Sequence, residues 1–171
     1  MYKFFRLTHK WTRIILAVVL LNIAVSGFLL IVKKDFDWIQ PPTQKSEGGS
    51  VAQFITIEKL YEIVLSQDHP DFKLPTDIDR IDVRPGKAIY KVKSEHNYSE
   101  IQVDAVSGKV LSRATRNSDL IEKLHDGSFY GNWVHDWVMV LVSFALVYFT
   151  GTGLYLWLFP KLRRKRRRGL R

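Results

Sequence analysis

Between Val138 and Phe159 the chain runs for 22 residues without a charged side chain, and no other feature limits its folding so strongly. A helix needs roughly 20 apolar residues to cross about 30 Å of hydrocarbon. A second run, Ile14 to Val32, holds 19 uncharged residues near the other end. It exceeds the roughly 7–15 apolar residues of a cleaved signal peptide. Its apolar character also continues through Phe28 to Val32, past the small residues Ala24 and Ser26 that resemble a cleavage pattern. Two uncleaved membrane helices are therefore expected. Asn22 and Ser26, with Gly27 beside them, fall on one face of the first, the small and weakly polar composition common where membrane helices meet.

The formal net charge is +9. Its distribution argues against nucleic-acid binding. All 17 acidic residues lie between Asp35 and Asp136, whereas Lys3, Arg6, Lys10 and Arg13 precede the first run and eight Lys/Arg follow the second. Basic clusters beside apolar spans mark cytoplasmic flanks and meet anionic lipid. Both termini are thus expected in the cytoplasm of a bacterial inner membrane, with residues 33–132 periplasmic or extracellular. The partner implied is the lipid bilayer, with no nucleic acid. Trp11, Trp38, Trp133, Trp137 and Trp157 read as aromatic belts at the two interfaces.

There is no cysteine, which removes disulfides, zinc–thiolate sites, iron–sulfur clusters and covalently attached haem. No G-x-G-x-x-G or P-loop is present, so nothing points to a flavin, nicotinamide or ATP site. No Ser/His/Asp set suggests hydrolysis. Asp77, Asp79 and Asp82 are hard oxygen donors, but a solvated strand edge explains them better than a metal site.

In order, the chain divides into a cytoplasmic N-terminus (1–13), a first transmembrane helix (14–32) and a Pro/Gly/Ser-containing linker (33–50). A folded domain (51–117), an interfacial segment (118–132), a second transmembrane helix (133–159) and a basic tail (160–171) follow. Thr56 to Gln67 has apolar residues at helical spacing, with Thr56 as N-cap. From Ile78 the period falls to two, with turn signals at Pro85-Gly86, His96-Asn97 and Ser107-Gly108. One helix and about four short antiparallel strands predict a small α+β unit with one sheet face covered, so the whole is an α+β membrane protein.

The helix–strand unit and the stretch VDAVSGKVLS (Val103 to Ser112) resemble a PepSY domain, whose strands bear a D-x-x-[ST]-G-K-V hairpin; Asp104, Ser107, Gly108, Lys109 and Val110 fit it. The ends resemble the PepSY-associated transmembrane helix family, which includes iron-regulated membrane proteins and ferric-siderophore reductases. Its R-x-x-H-[RK]-W opening matches RLTHKW, and its L-H-x-G-x-[FY]-x-G and T-G-x-x-L-W patterns match LHDGSFYG and TGLYLW. In the reductase branch, histidines on the helices bind b-type haem, and electrons cross the membrane to reduce iron outside. The resemblance carries haem ligation to His9 and His125, and less directly to His135.

The placement of these histidines adds a constraint. His9 belongs to the inner end of the first helix, while His125 and His135 belong to the outer end of the second. A membrane thickness therefore separates them within one chain. On one continuous helix, ten residues would leave His125 and His135 roughly 80° apart in direction and about 15 Å apart along the axis. Gly127 and Gly131 relax this limit if they break the helix. A homodimer would form a four-helix bundle with histidines at both levels. His69 and His96 are expected in solvated loops.

The resemblance thus implies haem-dependent transmembrane electron transfer that reduces ferric iron or ferric chelates, beside a ferrous-iron transporter or siderophore system. The alternative is a non-redox PepSY module that binds a partner protein or inhibits a peptidase. A third reading is an accessory subunit of a larger complex.

Overall fold

The structure is a computed structural model that describes the backbone of residues 2–168 and the side chains of residues 11, 14–155, 157–159 and 161. It divides into two compact units. One comprises residues 1–24 and 123–171, the other residues 25–122. The divisions fall inside helices α1 (Tyr2–Ile31) and α3 (Asn117–Asp126).

The second unit is α+β. Helix α2 (Ile57–Leu65) starts where the Thr56 hydroxyl accepts a hydrogen bond from the Lys59 N–H at 3.2 Å. This satisfies one of the otherwise unpaired amides of the first turn. Four strands follow, β1 (Ile78–Arg84), β2 (Ile89–Ser94), β3 (Ser99–Asp104) and β4 (Val110–Thr115), in an antiparallel meander of order β1-β2-β3-β4. Alternation along β2 and β3 sends Tyr90, Val92, Ile101 and Val103 to one face, where they pack with Leu60 and Val64 of α2 and with Phe72. Burying each such side chain contributes roughly 1.5–3 kcal/mol.

The Asp104–Val110 hairpin shows why its residue types are needed. The Asp104 carboxylate accepts from the backbone N–H groups of Val106 and Ser107 at 2.9 and 2.8 Å, which folds the turn. Gly108 sits at φ +74°, where a Cβ would lie 2.8 Å from Ile63 Cδ1 of α2. Only glycine fits both the left-handed backbone and that close approach.

The opposite face of the sheet is also covered, where one covered face was expected. Lys91, Lys93, Glu100, Gln102 and Asp104 point there and are all buried. The stretch that composition marks as linker has no regular secondary structure, yet it lies against this face. Gln102 Oε1 accepts from the Gln44 N–H, its Nε2 donates to Pro42 O, and Asp104 Oδ2 accepts from the Glu47 N–H. Ile39 is fully buried, and its carbonyl accepts from the Ser118 N–H at the start of α3.

In the other unit, α3 ends at Asp126, a 3-10 turn spans Ser128–Tyr130, and helix resumes at Asn132. The first part of that helix, Val134–Met139, is π-helical; α4 proper is Val140–Arg168. Two stretches are long and apolar enough to cross a membrane, Ile14–Ile31 and Val134–Phe159. Their apolar side chains are exposed rather than packed into a core: Ile15, Val18, Phe28, Phe144, Val147 and Trp157 are each more than half exposed. Contiguous apolar surface of this kind suits hydrocarbon and is uncommon on water-soluble proteins.

Candidate functional site

The break between α3 and α4 gives His125 and His135 a shared environment. Gly127 takes φ +80° and Gly131 takes φ +115°, both left-handed values that end one helix and delay the next. The two histidines therefore do not lie on one continuous helix. Both line a cavity of about 680 Å³ with Ile23, Asp126, Met139 and Phe144. That volume lies within the roughly 300–1,000 Å³ usual for small-molecule sites. A Cβ on Gly127 would come within 2.7 Å of Met139 Cγ, so this glycine also makes room at the wall.

Each imidazole is held at the same ring nitrogen. His125 Nδ1 donates to the carbonyl of Ile23 at 3.1 Å, and His135 Nδ1 donates to the carbonyl of Asp126 at 2.9 Å. A carbonyl only accepts, so Nδ1 carries the proton and the ring lone pair of each neutral imidazole is on Nε2. This is the tautomer and the type of anchoring that histidine ligands of metals ordinarily have. His135 and Asp136 sit in the π-helical turn, a feature frequent at functional sites.

Two further contacts hold the site. Asn22 Nδ2 donates to the carbonyl of Leu124 at 2.8 Å, pairing one of the last carbonyls of α3. Asp126 accepts from the Ser128 N–H at 2.9 Å. Burial disfavours its charge, but the Ser128 backbone and hydroxyl donors and the two histidines outweigh burial and hold the carboxyl below its usual range. An anionic Asp126 thus faces both imidazoles.

The sequence reading singled out His125 and His135, and the fold brings them to one cavity. His9 lies in α1, but its side chain is outside the described residues. Asp126 and Met139 were not singled out; the L-H-D-G run and the glycine pair were the available signals. Among the described residues, no three His, Cys, Asp or Glu side chains converge as a metal-ion site. Asp77 instead accepts from the Lys73 and Leu74 N–H groups, and Asp82 pairs with Arg80 and Lys93. His96 is mostly exposed and 3.4 Å from Asp77, while His69 accepts from the Asp71 N–H.

A four-stranded α+β unit joined to two candidate membrane helices, with a histidine-lined cavity in the helical unit, defines a membrane-associated protein of PepSY type. Residues 6–171 match the family described as PepSY-associated TM region, and the chain belongs to that family. No curated protein matches it, and no solved structure matches it.

Proposed function

We propose that this chain is a haem-dependent electron carrier of the bacterial inner membrane that reduces ferric iron or ferric chelates outside the cytoplasm, in support of iron uptake. The observation that carries this reading is the pair His125 and His135 on one cavity, each with Nδ1 tied to a backbone carbonyl. The residues fit a b-type haem: two imidazoles with lone pairs on Nε2, beside the apolar side chains of Met139 and Phe144. His125 and His135 would hold haem there, and it would supply one-electron chemistry. The chain's own part is to orient both rings through Ile23 O and Asp126 O and to keep a carboxylate near them.

The charge asymmetry supports a topology with both termini cytoplasmic and residues 33–132 outside. The two membrane helices then flank an extracytoplasmic PepSY-like domain. A homodimer would add His9 from two chains at the inner level and complete a path across the bilayer. Electrons would come from a quinol or another protein.

The test is the absorption spectrum of the protein purified in detergent from haem-replete cells. A sharp Soret band with split reduced bands is expected, weakened or shifted in His125→Ala and in His135→Ala. A colourless protein that leaves cellular ferric reduction unchanged would overturn the proposal and favour a non-redox PepSY module that binds a partner protein or inhibits a peptidase.

A further inference from the structure

The sheet unit holds a second cavity, of about 420 Å³, walled by Lys34, Arg84, Lys87, Lys91 and Arg116 together with Gln40. Five cations around one space repel each other unless carboxylates offset them. Few do. Glu100, buried beside the cavity, is shared between Lys91 at 3.4 Å and Arg116 at 3.1 Å. Asp119 is likewise shared, between Arg116 at 2.6 Å and Lys93 at 3.1 Å. Among the described residues, Lys34, Arg84 and Lys87 have no carboxylate within 4.0 Å. Lys91 shows the strain: burial first, and Arg116 and Arg84 with it, lower its pKa against the pull of Glu100. The side-chain oxygen of Gln40 is buried without a hydrogen-bond partner, an acceptor left for a donor.

We infer that this cavity binds an oxyanion, a phosphate or a polycarboxylate, that also carries a hydroxyl. The anion would neutralise the surplus on Arg84, Lys87 and Lys34 at the rim and on Lys91 at the floor. Guanidinium groups take phosphate and carboxylate in bidentate fashion, which favours these anions over halide. The ligand's hydroxyl would donate to Gln40. The site does not depend on haem, since every residue in it lies in the sheet unit. The oxyanion has two sources, a soluble anion or the headgroup of an anionic phospholipid.

The test is calorimetric titration of the full-length protein in zwitterionic micelles with inorganic phosphate and with citrate, followed by phosphatidylglycerol in nanodiscs. Saturable binding of phosphate or citrate, weakened about tenfold in Arg84→Gln or Lys87→Gln, supports a soluble ligand. Binding of phosphatidylglycerol alone, lost in the same variants, supports a headgroup. Both side chains are exposed, so the variants are expected to melt like the wild type without anion. Absence of binding to all three probes, or equal affinity in wild type and both variants, would overturn the inference.

Discussion

Asp71 sits almost fully buried where the Ser99 hydroxyl donates to it at 2.6 Å and Asn97 Nδ2 donates at 2.8 Å. These donors, Ser99 first, hold its carboxyl below the usual carboxylate range. A carboxyl with a folded pKa below its unfolded value stabilises the fold fully above the unfolded value, about 3.9 for Asp. That contribution is lost as pH falls from about 4 through the folded value. The melting temperature of the wild type is therefore expected to drop over this acid range. In Asp71→Asn this component should be absent, giving a lower plateau and a shallower acid limb. Parallel pH profiles for the two proteins would contradict the assignment. Asp71 was invisible in the sequence, because its donors arrive from 26 and 28 residues away. Gly108 and Thr56 were legible, since a left-handed turn residue and a helix cap act on their immediate neighbours.

Among the elements, the stretch from Ile39 to Glu47 separates composition from structure most clearly. Its prolines and polar residues deny it a helix or strand, and they say nothing about where it lies. Its place comes from Gln102, fully buried, which bonds Gln44 N and Pro42 O and also donates to Glu100 Oε1 at 2.8 Å. Truncation in Gln102→Ala removes these bonds and the segment's anchor on the sheet, at a cost of about 1–3 kcal/mol. Limited proteolysis of that variant is expected to cut between residues 40 and 50 faster than in the wild type. Unchanged cleavage there would mean that other contacts hold the segment. The join between α3 and α4 was better foreshadowed, because Gly127 and Gly131 bracket it. The π-helical turn that carries His135 had no sequence signal.

For the whole molecule, the two apolar helices and the charges at their ends govern what can be tested. The natural chain has no cysteine, so single cysteines report topology without background. With both termini inside, Lys109→Cys should react with a membrane-impermeant maleimide on intact spheroplasts, and Lys165→Cys only after permeabilisation. The reverse pattern would refute the proposed orientation. The sequence alone determined the candidate spans, the α2 helix, the meander of strands and the turn chemistry at Asp104–Gly108. Each of these rests on interactions between residues close in the chain or on the length of an apolar run. Only the tertiary structure decided that the second sheet face is buried and charged, that Lys91 and Arg116 share Glu100, and that His125 and His135 reach one cavity. Those outcomes join residues 9 to 102 positions apart, through hydrogen bonds and ion pairs that leave no periodic trace in the chain.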